Sequence, residues 1–130
     1  MNVGLLLVTH DGIGTAYRKI IHTLLRQVPA DLQVLEVPLD CSLEHLTGRC
    51  QNFLDTIDQG DGVLILTDLY GSTPCNVAIQ ASTGHNVRVV SGLNFPMLIR
   101  VLNYPQLPLG PLAEKALTGG KDGIVHNTTQ

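Results

Sequence analysis

The chain has 130 residues, of which 44% are hydrophobic and only 15% charged, so we expect one core-rich domain over residues 1–130. Eight Lys and Arg against eleven Asp and Glu give a net charge of −3, and this lack of a basic surplus argues against nucleic-acid or membrane-surface binding. The apolar runs are far shorter than the ~20 residues of a membrane span. The N-terminal run also lacks the basic start of a signal peptide. Three cysteines at unrelated spacings indicate neither a disulfide framework nor a zinc site, so we expect a cytoplasmic protein.

The first half of the chain predicts two strands and two helices. Residues 2–8 form a short continuous apolar run, which is typical of a strand buried on both faces. Residues 13–27 carry apolar side chains three and four positions apart, which predicts a helix that Pro29 ends. Residues 32–37 alternate in part and predict an edge strand. A helix over about 42–59 follows. The buried stripe expected for the first helix contains Ala16, Ile20, Ile21, Leu24 and Val28.

The second half predicts two more strand-helix units and a tail. Thr73 is a good N-cap and Pro74 a good first helical residue, so a helix should begin there. The tail from Gly119 is glycine-rich and polar, with one apolar pair at Ile124 and Val125, and we expect no helix in it. The predicted elements are strands over 63–66 and 86–90 and helices over 74–82, 95–102 and 111–117.

Strand and helix alternate four times, which predicts an α/β fold: a doubly wound parallel sheet of about four strands with helices on both faces. The carboxyl ends of parallel strands meet at one edge of the sheet, where open α/β folds bind ligands. Residues 9–14, 68–74 and 91–94 are the polar loops that follow three of these strands. We therefore expect the three loops to lie close together in space.

His10 and Asp68 each stand at the end of a buried strand. Histidine can act as acid, base or nucleophile, and a carboxylate that accepts one ring N–H leaves the other ring nitrogen free to attack. A histidine and a turn aspartate that only close their own loops are the alternative interpretation. The shared sheet edge makes the pair a candidate catalytic site.

Gly71, Ser72 and Thr73 form a small-residue loop that leads into a helix. Free backbone N–H groups at a helix N-terminus, with hydroxyls beside them, suit a phosphate. A simple N-cap is the alternative interpretation of this loop taken by itself. Beside His10 and Asp68, the loop would stabilise a phosphoryl group.

Other motifs point to chemistry less strongly. Gly12-Ile13-Gly14 begins like a dinucleotide fingerprint, but Tyr17 stands where its third Gly or Ala belongs. Cys75 is in the first turn of a helix, where a thiolate is favoured, although a buried small apolar residue is the commoner case. His22, His45 and His85 have no metal-ligand partner at a suitable spacing, so we expect them at the surface.

The blocks NVGLLLVTHDGIG, VLILTDLYGSTPCN and VVSGLNFPMLIRVL, in this order, resemble the mannose-family enzyme IIA domains of the bacterial phosphotransferase system. The resemblance covers residue 2 to about 125, including LTGGKDGIV in the tail. It implies a doubly wound parallel sheet and a homodimer in which the tail strand crosses to the partner subunit. It also implies that His10 accepts a phosphoryl group from the carrier protein HPr, that Asp68 holds the ring, and that Gly71 to Thr73 bind the phosphoryl oxygens.

Under this resemblance the acceptor is a separate IIB protein, or the phosphorylated state is itself a regulatory signal. No metal or organic cofactor is expected, because the phosphorylated donor brings its own activated group. Asp11 and Ser72 replace glycines common in the family. An acid beside the ring either slows phosphorylation or hastens hydrolysis. Two alternatives remain: the phosphocarrier subunit of a dihydroxyacetone kinase, and a non-catalytic regulatory module that binds partners through the same edge.

Overall fold

The computed structural model describes residues 2–26 and 32–129. The predicted helix end at Pro29, and Val28 of its predicted stripe, fall outside these residues. The elements in chain order are β1 (Gly4–His10), α1 (Ile13–Leu24), β2 (Leu32–Val37), α2 (Leu43–Ile57), β3 (Val63–Thr67), α3 (Thr73–Ala81), β4 (Val87–Ser91), α4 (Phe95–Leu102) and α5 (Leu109–Asp122).

The four strands form one parallel sheet in the order β2-β1-β3-β4. The predicted α/β class, the parallel sheet and the edge position of β2 are therefore confirmed. The chain winds from β1 outward to β2 and then crosses to β3 on the other side of β1. Strand order thus reverses between β1 and β3, which is where an open α/β sheet opens a crevice at its carboxyl edge.

Two apolar layers cover the two faces of the sheet. Side chains alternate along β1, so that Leu5 and Leu7 pack toward α1, α4 and α5, while Leu6 and Val8 pack toward α2 and α3. The same alternation places Thr9 with the first group and His10 with the second. The pleat therefore presents the last residue of β1 on the face that α3 covers.

The predicted buried stripe of α1 is largely wrong. Ile21 is fully buried as expected, but Ile20 is 43% and Leu24 56% exposed, and Ala16 is exposed too. Helix α1 instead packs through Gly14, Ile21 and the half-buried Tyr17. The sequence of α1 has two apolar stripes of helical period, one through Ile20 and one through Ile21, about one-third of a turn apart. Periodicity by itself does not show which of the two stripes is buried.

The predicted last helix is too short. Helix α5 runs from Leu109 to Asp122 and includes the glycines that we expected to end it. A Cβ atom on Gly119 would lie 2.5 Å from Cβ of Arg100, and one on Gly120 would lie 2.9 Å from Cε of Met97. These glycines therefore let α5 approach α4 more closely than any larger residue would. Residues 124–129 follow as an irregular segment without helix or strand.

The remaining boundaries differ from the predictions by small shifts. β1 and β4 end one or two residues later than expected, and α3 begins at Thr73 with Ser72, not Thr73, as its N-cap. The helix predicted over residues 95–102 is confirmed as α4. In the described parts of the chain, no helix has the length and apolar character needed to cross a bilayer.

Candidate functional site

His10 and Asp68 face each other across the point where strand order reverses. Nδ1 of His10 lies 2.7 Å from Oδ2 of Asp68, and the backbone N–H of His10 donates to the same oxygen at 3.0 Å. The predicted meeting of these two side chains at the sheet edge is therefore observed. The contact joins residues 58 positions apart in the chain, and it depends on the adjacent parallel strands β1 and β3.

The two side chains differ in exposure. The His10 side chain is 34% exposed, whereas that of Asp68 is only 12% exposed. Oδ1 of Asp68 is buried and makes no hydrogen bond to any described residue. The other oxygen, Oδ2, is bonded to His10. A buried oxygen without a partner is costly, and such groups concentrate where a structure has a functional constraint. The Asp68 carboxylate is thus bonded to His10, while the His10 ring remains accessible to solvent.

The turn that follows His10 is held by two side-chain acceptors. Oγ1 of Thr9 accepts from the backbone N–H of Gly14 at 2.8 Å, and Oε2 of Glu36 accepts from that of Thr15 at 2.9 Å. Both donors belong to the first turn of α1, whose N-terminal N–H groups have no partner within the helix. Glu36 comes from β2, where it pairs in register with Thr9. Our sequence analysis missed Glu36, because the N–H that it accepts lies 21 positions earlier in the chain.

Gly14 also explains why the dinucleotide fingerprint fails here. A Cβ at Gly14 would lie 2.6 Å from Cγ1 of Val34, so this glycine serves the packing of α1 on β2. The helix N-terminus that would receive a pyrophosphate is already bonded to the Glu36 carboxylate. The nucleotide interpretation has no support at this turn.

The loop from Asp68 to α3 leaves a helix N-terminus without a cap. Gly71 has φ +80°, a left-handed conformation that favours glycine, whereas Ser72 has an extended backbone with φ −80°. The Ser72 side chain donates to the carbonyl of Leu69 at 2.6 Å and makes no capping hydrogen bond. Thr73 is exposed at the first helical position. Serine at 72 is therefore compatible with this loop, and its side chain leaves the N-terminus of α3 uncapped.

Leu93, in the third predicted loop, is bonded to residues of the elements next to the other two loops. The backbone N–H of Leu93 donates to the carbonyl of Thr67 at 2.9 Å, and its own carbonyl accepts from the Tyr17 hydroxyl at 3.4 Å. The Tyr17 ring stacks on Phe95, with centroids 4.3 Å apart. Burial raises the pKa of Tyr17, and the negative charge of Asp68 raises it further. Tyr17, which the sequence analysis considered only as a fingerprint mismatch, therefore lies within electrostatic reach of the site.

Two other residues considered in the sequence lie apart from this pair. Cys75 is 1% exposed, as a buried small residue would be, with Sγ 3.6 Å from Oγ of Ser91. His85, expected at the surface, is only 18% exposed at its side chain, which bridges Asp55 and Asp58 at 2.8 and 2.9 Å. This bridge connects the end of α2 to the loop before β4. It stands at the amino end of the strands, opposite His10.

Comparison with known proteins agrees with this architecture. The family model described as the PTS system fructose IIA component matches residues 4–116. The mannose/sorbose-specific IIA subunit of the phosphotransferase system from Enterococcus faecalis superposes with a TM-score of 0.89 at 24% identity, covering 100% of this chain and 98% of that one. The phosphotransferase component EIIA from Streptococcus agalactiae has a TM-score of 0.84 at 22% identity, with 95% and 96% covered.

A third structure extends the same likeness. The IIA protein associated with the fucose utilization operon of Streptococcus pneumoniae has a TM-score of 0.82 at 19% identity, with 97% and 93% covered. These likenesses establish the fold. Because the family model spans most of the sequence, the chain belongs to the IIA components of the mannose and fructose type of the phosphotransferase system. It is a phosphocarrier component of that system.

Proposed function

We propose that His10 accepts a phosphoryl group from phospho-HPr on Nε2 and passes it to a separate IIB protein, or retains it as a regulatory signal. One observation carries this proposal: Oδ2 of Asp68 is 2.7 Å from Nδ1 of His10. An ionised carboxylate only accepts hydrogen bonds, so Nδ1 carries the ring proton and Nε2 carries the free lone pair.

The proposed transfer is an in-line displacement at phosphorus. The Nε2 lone pair of His10 forms a bond to phosphorus while the bond to the donor atom of HPr breaks, and the donor leaves with that electron pair. The ring becomes positively charged as the new bond forms. Asp68 then stabilises that charge through the Nδ1–H hydrogen bond and takes up no proton itself. Transfer to the acceptor is the reverse of the same step.

The start of α3 is the proposed binding place for the phosphoryl oxygens. Of the helices that begin at this sheet edge, α2 is capped by Ser42, α4 by Asn94 and α1 by Glu36. Helix α3 has no capping side chain among the residues that the structure describes, and it covers the sheet face toward which β1 directs His10. Free N–H donors and the positive end of the helix dipole favour a phosphate there. We assign Gly71, Ser72 and Thr73 to this role.

The surroundings of His10 suit a protein-borne phosphoryl group. Leu39 is 92%, Leu69 60% and Tyr70 81% exposed, and all three lie in loops at the same sheet edge. Exposed apolar side chains around a reactive group favour contact with another protein. We infer that the donor docks on an open surface.

We further propose that the protein is a cytoplasmic homodimer. Ile124 is 78% and Val125 68% exposed in the single chain, and β4 is an edge strand of the sheet. An exposed strand edge and an exposed apolar segment are both stabilised by pairing with another chain. The family resemblance supplies the expectation that the tail of one subunit pairs with its partner.

Labelling tests the proposed function. The protein is incubated with labelled phosphoenolpyruvate, the first enzyme of the phosphotransferase system and HPr. We expect stable label on the wild-type protein that depends on HPr, and subsequent loss of the label to candidate IIB proteins. The His10→Ala variant should take up no label, whereas His45→Ala, a matched change in an exposed histidine, should label normally. A wild-type protein that takes up no label would favour the binding-module alternative, and label supplied only by a dihydroxyacetone kinase system would favour the other.

A further inference from the structure

Two helix N-termini lie beside His10, and they differ in what occupies them. Helix α1 begins three residues after His10, and α3 begins after the loop that carries Asp68. In the first turn of α1 the N–H of Gly14 is bonded to Thr9 and that of Thr15 to Glu36, whereas among the described residues no side chain caps α3. By their backbone alone, both ends attract an anion. The pleat of β1 directs His10 toward the face that α3 covers, and the side chains at the two helix N-termini then determine whether α1 competes for the phosphoryl oxygens.

Glu36 is an unusual cap because it comes from a neighbouring strand and carries a full charge. Ser42 of α2 and Asn94 of α4 are neutral caps from the residue just before their own helix. The strand register places Glu36 beside Thr9, on the α1 side of the sheet. From there Oε2 reaches the N–H of Thr15 at 2.9 Å. A carboxylate thus fills the position that an incoming anion would take.

The carboxylate is held in its charged form. The backbone N–H of Thr15 lowers the pKa of Glu36 most, and the Thr15 hydroxyl, the N–H of Gly12 and the charge of Arg18 lower it further against the opposing effect of burial. Asp11, at the turn itself, is a second exposed acid on this side. The α1 side of His10 therefore carries a charged carboxylate at the helix N-terminus, with Arg18 beside it, whereas the start of α3 has no capping side chain among the described residues.

We propose that Glu36 is a positioning residue for phosphoryl transfer: its carboxylate closes the N-terminus of α1 to phosphoryl oxygens and so directs the group on His10 to the N-terminus of α3. This inference rests on the proposed function of His10. Glu36 makes no contact with the reacting atoms in this role. It acts by occupying the competing donors and by repelling a second anion from them.

The test uses inorganic phosphate and the unphosphorylated full-length protein, followed by the backbone amide signals in NMR. In the wild type, phosphate should shift the amide signals of residues 71–73, 75 and 76 and leave those of residues 13–16 in place. Glu36→Gln keeps an oxygen acceptor for the Thr15 N–H but removes the charge. In this variant the signals of residues 13–16 should also shift, with phosphate bound there at least roughly fivefold more tightly than in the wild type.

The design separates a positioning role from a merely structural one. If Glu36 only caps α1, Glu36→Gln will behave as the wild type does, and the inference is overturned. Phosphate shifts at residues 13–16 of the wild type would overturn it as well. Glu36→Ala, which frees the donors completely, provides a second variant, and Ser42→Ala controls for loss of a cap elsewhere on this edge. Because no transfer reaction is involved, failure here is distinguishable from failure of His10 to accept label.

Discussion

Oδ2 of Asp68 accepts the backbone N–H of His10 at 3.0 Å and lies 2.7 Å from its ring Nδ1. A single oxygen thus fixes both the strand end and the ring of the same residue. This double contact restricts the ring to one orientation before any partner arrives. Oδ1 is buried and makes no hydrogen bond to a described residue, so the hydrogen bonds of this carboxylate within that part of the chain go to His10.

Asp68→Asn should slow phosphorylation of His10 while leaving the fold intact. If the new side-chain amide turns its NH₂ toward Nδ1, it forces the proton onto Nε2 and blocks the attacking lone pair; in either orientation the substitution removes the charge that stabilises the phosphorylated ring. The loss should be smaller than the ~10⁴-fold effect of the same change in a serine-protease triad, because no proton leaves a second nucleophile here. Rapid-quench transfer rates, with circular dichroism as the folding control, measure it. Wild-type rates would remove Asp68 from the mechanism.

Gly119→Ala should destabilise the protein by about 1–3 kcal/mol. Its Cβ would lie 2.5 Å from Cβ and 2.8 Å from Cγ of Arg100, so α5 would have to move away from α4. Gly48→Ala is the matched control, because a Cβ at this helical glycine of α2 meets nothing within 4 Å. That change should stabilise the protein by up to about 1 kcal/mol through helix propensity. Urea unfolding of both variants checks the account, and equal effects would contradict the close packing of the two helices.

The His85 bridge should make stability depend on pH. Hydrogen bonds to Asp58 and then to Asp55 raise the pKa of His85, and the bond to His85 lowers that of Asp58. The contribution of His85 to the free energy of unfolding is fully present below about pH 6.5 and disappears as the pH rises through its raised pKa. The contribution of Asp58 is present above about pH 4 and disappears as the pH falls through its lowered pKa.

The bridge should therefore stabilise most between those limits, by about 1 kcal/mol, since Asp55 is largely exposed. His85→Gln should lose this increment at pH 5.5 and little above pH 8. His45→Gln, a change in an exposed histidine of α2, provides the control. The comparison needs only unfolding curves at the two pH values. A deficit of His85→Gln that is the same at both would show that the charge of His85 contributes nothing.

Deletion of residues 124–130 should convert the proposed homodimer to monomers. The cut falls after α5, so that Gly119 and Gly120 keep their contacts with α4. Light scattering should report twice the chain mass for the intact protein and the chain mass for the truncated one. The double change of Ile124 and Val125 to Ser tests the apolar contact without shortening the chain. An intact protein that is monomeric, or a truncated one that remains dimeric, would disprove the role of the tail.

Much of the fold and the central pair could be predicted from the sequence. The continuous apolar runs of β1 and β3 indicated strands buried on both faces, and the alternation of strands with helices then required a parallel sheet. Because parallel strands end at one edge, His10 and Asp68 had to approach each other. The positions of these residues followed from topology, and their 2.7 Å contact agrees with it.

The failures have a common cause in contacts between distant parts of the chain. Ile20 and Ile21 both belong to apolar stripes of α1, and only packing on the sheet chooses Ile21. Gly119 and Gly120 normally end helices, but the close approach of α4 keeps them inside α5. Glu36 caps a helix that is earlier in the chain by more than twenty residues, so no local pattern reveals it.

The central claim is that the phosphoryl group is bonded to Nε2 of His10. With the histidine rings labelled by ¹⁵N and the protein phosphorylated through HPr, NMR resolves the ring nitrogen that couples to ³¹P. The account predicts one phosphohistidine, coupled at Nε2, with Nδ1 protonated and bonded to Asp68. The adduct should be lost in acid, persist in base and be absent from His10→Ala. Coupling at Nδ1, or an acid-stable phosphoryl group on Ser72 or Thr73, would contradict it.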